Sequence, residues 1–196
     1  FREAILDYGL GNDTIFCFTS DHGEMLGDHD FFRKTLAYEG SARIPLMFRG
    51  PGIPLGGVSD VPAELRDLMP TLLDLAGLPI PASVEGESLV RAIHGATDGF
   101  KHYVHGEHNG PLGQSMHWLT DGRWKYVWLS RDGIEQLFDL RNDRQELHDL
   151  AAAQPAMVAE WRQRLISELE GREEGFVKNG NLVTGRPCLA VLSHAC

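Results

Sequence analysis

The sequence is poor in cysteine, in long apolar runs and in clustered positive charge. Its 196 residues include three cysteines, Cys17, Cys188 and Cys196, too few for a disulfide framework. We expect Cys17 inside a buried strand and the other two as free thiols, although their spacing would let them pair. No apolar run approaches the roughly 20 residues of a membrane-spanning helix. The net charge of −10, with no basic run to offset it, argues against a general nucleic-acid binder.

What is present is the composition of an ordinary globular protein. Hydrophobic residues make up 42% of the chain and charged residues 23%, as in typical soluble domains. The length suits one domain, or one large and one small unit. Because the sequence opens on Phe1 rather than Met, within a predicted helix, the lack of a signal peptide says little about the compartment. A cytoplasmic location is slightly favoured over a periplasmic one.

The stretch 19–34 carries the first chemical signal. The apolar run 15–18 before it predicts a strand buried on both faces. Asp21 and His22 follow that strand, where α/β sheets bind ligands, and offer one oxygen and one nitrogen to a divalent cation. Lys34 could hold an anion presented to the metal. From these residues alone, a metal or anion site and a plain turn with a surface lysine are equally good interpretations.

A longer string favours the first interpretation. From Thr19 it reads TSDHGEMLGDHDFFRKTLAYEGSARIPLMFRGPG. It resembles the C-terminal signature of the sulfatases of the alkaline phosphatase superfamily, which includes the phosphonate monoester hydrolases. The resemblance resumes at residues 68–77, 85–89 and 123–150. It implies an α/β fold: the C-terminal portion of an alkaline-phosphatase-like sandwich, residues 1–98, followed by a small antiparallel four-stranded sheet with a packed helix and a tail, residues 99–196.

The nucleophile of that family is missing from this chain. Sulfatases use a cysteine or serine in a C/S-x-P/A-S-R string, which is converted to formylglycine. Cys17 is followed by Phe-Thr-Ser and Cys188 by Leu-Ala-Val, so neither has that context. The two further metal aspartates of the family also lie upstream. The resemblance therefore implies the C-terminal part of a larger enzyme, inactive by itself.

The resemblance assigns roles to several residues of this chain. Asp21 and His22 correspond to ligands of the active-site divalent metal. Many sulfatases have Asn in place of His22, whereas His is more typical of the phosphonate monoester hydrolase branch. An imidazole ligand leaves calcium or manganese favoured, with magnesium or zinc open. Lys34 corresponds to the lysine that contacts the ester oxyanion. His29 either lies beside the substrate or holds the loop through a backbone hydrogen bond.

Residue patterns predict the elements around these sites. Residues 44–48 form a second apolar strand, and residues 67–76 a helix with Asp67 as N-cap and a leucine-rich core stripe. Glu39 and Arg43 are read as an ordinary i,i+4 pair. Four short strands follow at 103–107, 116–120, 124–129 and 134–138, antiparallel because Asp-Gly turns join them. Residues 155–169 form a helix with one buried stripe.

Histidines are concentrated in the second region, at His102, His105, His108 and His117, with Glu107 among them. Alternation along a strand puts His105 on the opposite face from His102 and His108, so we do not expect a separate metal site. In related sulfatases the small domain borders the substrate cleft. The resemblance therefore makes His108, Asn109 or Gln114 candidates to contact the leaving group.

Three functions remain open at this stage. The first is a sulfuric ester hydrolase acting through an upstream formylglycine. The second is a phosphonate monoester or phosphodiester hydrolase on the same scaffold, and the third a non-catalytic fragment or pseudoenzyme. The expected partners are a small sulfate- or phosphate-type ester and the upstream part of the same polypeptide, with no nucleic acid and no membrane. A homo-oligomer is left open.

Overall fold

A computed structural model describes residues 2–109 and 115–185, so Gln114, Cys188 and Cys196 lie outside the described residues. The chain divides into two compact units. Unit 1 contains the residues up to His22 together with Ile44–Lys101, and unit 2 contains Gly23–Arg43 together with the residues from His102 onward. The two predicted regions, 1–98 and 99–196, were continuous in sequence. In the structure, Gly23–Arg43 packs with the second unit although it lies in the first region of the sequence.

The described part of unit 1 contains a two-stranded antiparallel sheet and three short α-helices. The helices are α1 (Arg2–Asp7), α3 (Leu68–Leu75) and α4 (Val90–Ile93), and the strands are β1 (Phe16–Thr19) and β2 (Leu46–Arg49). In the register of the sheet, Phe16 lies opposite Arg49 and Thr19 opposite Leu46.

The prediction that the strand before Asp21 is buried on both faces is wrong for this structure. Phe18 is 60% exposed, and Met47 on the neighbouring strand is also exposed. Phe18 and Met47 lie opposite each other in the register, so the face of this two-stranded sheet that carries them has no covering layer among the described residues.

The predicted helix 67–76 forms as α3 with Asp67 at its N-cap position, but the Asp67 side chain makes no capping hydrogen bond to it. A 3-10 turn, Leu65–Asp67, precedes α3, and the Asp67 carboxylate accepts hydrogen bonds from the backbone N–H groups of Glu64 and Glu87, both at 2.9 Å. Lys101 Nζ adds an ion pair at 2.8 Å. Asp67 is therefore a buried acceptor that ties three segments of unit 1 together.

These polar contacts also set which side of α3 is buried. Pro70 and Thr71 are buried, whereas Leu72 and Met69 are exposed. Thr71 Oγ1 donates to the Asp67 carbonyl and accepts the Leu89 backbone N–H at 2.9 Å. The predicted leucine-rich core stripe is thus wrong in part, because this hydrogen-bonded face is the one that packs inward.

Unit 2 is built on the antiparallel meander that the sequence predicts. Its strands are β3 (Val104–Asn109), β4 (Ser115–Thr120), β5 (Trp124–Leu129) and β6 (Ile134–Asp139), paired in that order. At the β4–β5 turn, Asp121 Oδ1 accepts the backbone N–H groups of Arg123 and Trp124, while Gly122 has a positive φ of 88°. The four-stranded sheet is confirmed.

Each face of this sheet is covered by a different segment. Helix α5 (Pro155–Leu169) packs on one face, with Trp161 and Leu165 buried against Leu119, Tyr126, Trp128 and Leu137. The other face carries Met116, Val127 and Phe138, which pack against Ala37 of the segment Gly23–Arg43. That segment contains the short helix α2 (Glu39–Ala42). The predicted helix and its buried stripe are confirmed.

The tail continues beyond the helix as a hairpin that the sequence did not predict, β7 (Val177–Lys178) with β8 (Asn181–Leu182). Within residues 2–109 and 115–185, no helix is long and apolar enough to cross a membrane.

Candidate active site

Asp21 and His22 lie directly beyond the end of β1, as predicted. Ser20 Oγ donates to the His22 carbonyl at 2.6 Å, and the His22 backbone N–H donates to Asp21 Oδ1 at 3.1 Å. The second oxygen, Asp21 Oδ2, faces His22 Nε2 at 3.4 Å. The strand end thus presents one carboxylate and one imidazole side by side.

This donor pair fits a divalent cation. Two ligands that hold one ion at about 2.0–2.2 Å lie about 3.0–3.5 Å from each other, depending on geometry. The separation of 3.4 Å falls within that span. The Asp21 side chain is 79% exposed and that of His22 36% exposed, so an ion can reach both.

Lys34 lies in unit 2, at the end of a loop with an unusual backbone. Four non-glycine residues of that loop have positive φ angles: Leu26, His29, Asp30 and Arg33. Such conformations are costly and persist only where tertiary contacts hold them. A Cβ on Gly23 would lie 2.1 Å from the Gly40 carbonyl oxygen, so the loop begins at a position that only glycine fits.

Several contacts hold this loop closed. Gly23 N–H donates to the Ser41 carbonyl at 2.8 Å, and Met25 N–H to the Arg33 carbonyl at 3.1 Å. The Glu24 carboxylate accepts the Arg33 backbone N–H in a short contact. Lys34 follows Arg33 directly and is exposed, so its ammonium extends from an anchored backbone.

His29 anchors the same loop from its middle. Its Nε2 donates to the Gln145 carbonyl at 2.8 Å, and its ring stacks on Tyr38 with centroids 4.0 Å apart and planes inclined by 4°. This is the backbone hydrogen bond of the second alternative that the sequence left open. A substrate contact by His29 stays an untested prediction.

A buried lysine that the sequence did not indicate holds the residues that follow the loop. Lys125 of β5 is 1% exposed, and its Nζ contacts Glu39 Oε1 at 2.7 Å, Glu146 Oε1 at 2.8 Å and the Ala37 carbonyl at 2.9 Å. The Glu39 backbone N–H donates to Glu146 Oε2 at 2.6 Å. Burial raises the pKa of Glu146, and the Lys125 ammonium opposes that shift.

These contacts fix residues 37–39, just after Lys34. The Glu39–Arg43 pair predicted from sequence also forms, at 3.3 Å. No local pattern indicates Lys125, because its partners lie far away in the sequence; its only signal is a lysine within an otherwise apolar strand.

The candidates for leaving-group contact lie near the end of β3. His108 is half-buried on the sheet face opposite His105, as alternation predicts. Asn109 Oδ1 accepts a hydrogen bond from Ser115 Oγ at 2.6 Å, and Gln114 lies outside the described residues. Contact of these side chains with a substrate stays a prediction.

The sequence of this chain is similar to proteins of known families. Residues 27–174 match the sequence model of a family described as N-sulphoglucosamine sulphohydrolase, C-terminal. Among curated proteins, an arylsulfatase from Clostridium perfringens is 45% identical over 201 residues, covering 99% of this chain and 41% of that protein. The chain therefore spans about two fifths of the length of that relative.

Solved structures of similar fold are also larger than this chain. A 2-O GAG sulfatase has a TM-score of 0.82 at 26% identity, covering 90% of this chain and 41% of that one. A phosphonate monoester hydrolase from Silicibacter pomeroyi has a TM-score of 0.75 at 31% identity, covering 85% of this chain and 37% of that one. Both confirm the fold class expected for the chain.

Proposed function

The chain belongs to the sulfatase family, as a C-terminal part, and from this we propose that it contributes to a sulfuric ester hydrolase whose formylglycine nucleophile lies upstream. The observation that carries the proposal is the Asp21–His22 pair at the end of β1, with its oxygen and nitrogen 3.4 Å apart. Family membership supports a ligand role for this pair.

Asp21 and His22 are proposed as two ligands of a divalent cation, calcium or manganese, with magnesium or zinc as alternatives. When bound, such an ion polarises an ester oxygen and lowers the pKa of a nucleophile beside it. The residues of this chain hold the two ligand atoms at the distance that a bound ion requires. The Ser20 hydrogen bond to the His22 carbonyl and the His22 N–H bond to Asp21 keep the turn in shape.

Lys34 is proposed to stabilise negative charge on the ester as the bond to its leaving group breaks. A fixed cation near developing charge accelerates such reactions because it needs no reorganisation at the moment of reaction. Support for this role comes from the anchored backbone around Lys34, which is held by Glu24 before it and by the Lys125 network after it. His29 supports that role by holding the loop to the Gln145 carbonyl.

A second candidate is hydrolysis of a phosphonate monoester or phosphodiester. The Asp-His pair favours it, together with the 31% identity to a phosphonate monoester hydrolase. Both reactions transfer a tetrahedral anionic group, so the residues of this chain would act in the same way in either. The choice between them depends on which substrate the full-length protein turns over faster.

The upstream part of the polypeptide is proposed as the partner of unit 1. The exposed apolar side chains around β1 and β2, which include Phe18, Met47 and Leu55, form a surface that water solvates poorly. The curated relative is more than twice as long as this chain, and its additional length is the natural source of a covering layer.

Substitution of Lys34 tests the catalytic proposal. In the full-length protein we expect Lys34→Ala to lower kcat on an aryl sulfate by about 10²–10³-fold, the usual cost of removing one charge-stabilising donor. The matched control is Lys178→Ala, an exposed lysine of the same unit on β7, which should leave kcat unchanged. Turnover should be measured with an aryl sulfate and an aryl phosphonate monoester, after a mass spectrum has verified conversion of the upstream nucleophile.

Three results would decide the matter. Full activity in Lys34→Ala, or an equal loss in Lys178→Ala, would contradict the proposed role of Lys34. A higher kcat/KM on the phosphonate would favour the second candidate. No turnover of either substrate by a correctly converted wild-type protein would favour a non-catalytic role.

A further inference from the structure

Three potential metal ligands meet on one face of the β3–β4 hairpin. His105 and Glu107 are two positions apart on β3 and therefore point to the same face. The register places His117 of β4 opposite Glu107. His105 Nε2 lies 3.3 Å from His117 Nδ1, which lies 3.6 Å from Glu107 Oε2, and all three ligand atoms are within 4.8 Å of one another.

We propose that His105, Glu107 and His117 bind a divalent transition metal of the zinc type. This site is made entirely of unit 2 residues, uses none of the residues assigned to ester hydrolysis and does not depend on the proposed function. The sequence argument against a separate metal site rested on alternation along the strand, and His108 does lie on the face opposite His105. That argument named Glu107 and His117 but did not use the fact that Glu107 shares the face of His105 and that His117 lies opposite Glu107 on the neighbouring strand.

The distances suit a tetrahedral ion. Ligands held at about 2.0–2.2 Å in a tetrahedron lie about 3.3–3.6 Å from each other, and two of the three separations match that edge. The third separation is at most 4.8 Å, and the half-exposed Glu107 side chain is the ligand with room to move closer. Two imidazoles and one carboxylate form a known zinc donor set with a fourth position left for water, whereas calcium and magnesium prefer oxygen alone.

The second nitrogen of His117 is oriented as in metal sites. His117 Nε2 lies 3.4 Å from Ser115 Oγ, and that hydroxyl donates its proton to Asn109 Oδ1 at 2.6 Å. Ser115 Oγ is therefore left as an acceptor for Nε2–H, which leaves the lone pair of Nδ1 directed at His105 and Glu107. Such partners of the outer nitrogen set the tautomer of ligating histidines.

The ring of His117 is also fixed in place. It lies against Trp128, with centroids 5.7 Å apart, and meets Phe176 edge-on at 4.7 Å. Burial lowers the pKa of His117 to about 4, so its imidazole is neutral at pH 7. Burial works to raise the pKa of Glu107, but the Arg172 guanidinium holds it below its usual value. Neutral imidazole and ionised carboxylate are the protonation states that a metal requires.

Arg172 is the competitor of a bound ion. Its guanidinium contacts Glu107 through Nη1–Oε2 at 2.9 Å and Nη2–Oε1 at 3.2 Å. A carboxylate oxygen has two lone pairs, so Oε2 can accept from Arg172 and still bind a cation on its other side. In that arrangement Arg172 orients the ligand while its charge lowers the affinity for the ion. The alternative is an ordinary ion pair beside two hydrogen-bonded histidines.

Zinc stoichiometry tests the proposal. The full-length protein should be stripped with a chelator and dialysed against Zn²⁺, with bound zinc measured by elemental analysis. We expect His105→Ala to bind one zinc fewer per chain than the wild type, and Glu107→Gln to bind that zinc about 10–100-fold more weakly. His102→Ala is the matched control because His102 is an exposed histidine just before β3, outside the cluster, and it should retain the wild-type stoichiometry.

Cobalt provides a second readout that separates this site from Asp21–His22. Co²⁺ should give the intense visible absorption of a tetrahedral site in the wild type and in Asp21→Ala, but not in His105→Ala. If His105→Ala binds as much zinc as the wild type and His102→Ala, the proposal is overturned. It is also overturned if no zinc remains bound once Asp21 is replaced.

Discussion

The two units of this chain stabilise themselves in different ways. Unit 2 contains both clusters of buried apolar side chains found in the described residues, one under α5 and one under the segment Gly23–Arg43. In the described part of unit 1, the buried apolar residues are Pro70, Leu89, Ala92 and Phe100. Its centre is instead the Asp67 carboxylate, with Lys101 and two backbone N–H donors around it.

Unit 1 also exposes large apolar side chains on its surface. Unit 1 leaves Phe18 and Met47 open to water beside a cavity of about 760 Å³. Because burial of apolar area is the main favourable term in folding, unit 2 contains most of its own driving force within this sequence. Unit 1 depends on polar contacts, each of which contributes less. The candidate active-site string 19–34 is therefore divided between two units that bury different amounts of apolar surface.

Replacement of the buried Lys125 should have the largest effect on the stability of unit 2. Lys125→Met leaves the buried Glu146 carboxylate without its cation and leaves Glu39 with only its exposed partner Arg43. We expect it to reduce the free energy of unfolding of unit 2 by about 3–5 kcal/mol, the usual cost of breaking one side of a buried ion pair. Hydrogen exchange of β5 peptides in the full-length protein measures this locally. Lys178→Met, on an exposed lysine of the same unit, is the control; a loss as large there would mean that burial is not the cause.

A leucine in each unit sharpens the comparison. Leu165 is fully buried under the sheet, whereas Leu72 of α3 is 42% exposed. Leu165→Ala should cost about 2–5 kcal/mol because it leaves a cavity, while Leu72→Ala should stay within about 0.5 kcal/mol. Exchange of α5 and α3 peptides provides the two values. If the two substitutions cost the same, the contrast drawn between the units fails, since Leu72 would then be as well packed as Leu165.

Substitution of one glycine in each unit should give the smallest difference in stability between the units. A Cβ on Gly106 would lie 2.1 Å from the Trp118 ring, whereas Gly57 in unit 1 has no heavy atom within 4 Å of that position. Gly106→Ala should therefore cost about 1–3 kcal/mol through overpacking, and Gly57→Ala should be nearly neutral. Thermal unfolding of the two variants, each compared with the wild type, tests this. An unaffected Gly106→Ala would show that the indole moves aside without loss.

Much of unit 2 is predictable from the sequence because its signals are local. The strand 124–129 and the helix 155–169 match the structure at both ends. Alternation of side chains and the Asp-Gly turns need only neighbouring residues to act, so period and turn chemistry are enough. The same holds for the turn at Asp21 and His22, which follows from a strand end and a glycine.

Predictions that depended on distant partners did less well. Asp67 has the residue type and position of an N-cap, yet Glu87 and Lys101 draw its carboxylate into a buried network. The polar face of α3 is buried for the same reason. A helical period shows which side chains share a face, but not which face the neighbouring segments cover.

By itself, the sequence determined the four-stranded meander, the helix α5, the family signature and the order of Asp21, His22 and Lys34 along one string. Only the tertiary structure decided that Lys125 supports the backbone at Ala37, 88 residues away, and that His105, Glu107 and His117 meet on one face. The physical reason is that periodicity and turn chemistry act between neighbours in sequence. Ion pairs and ligand clusters depend on strand register and on packing between distant segments, and these form only when the whole unit folds.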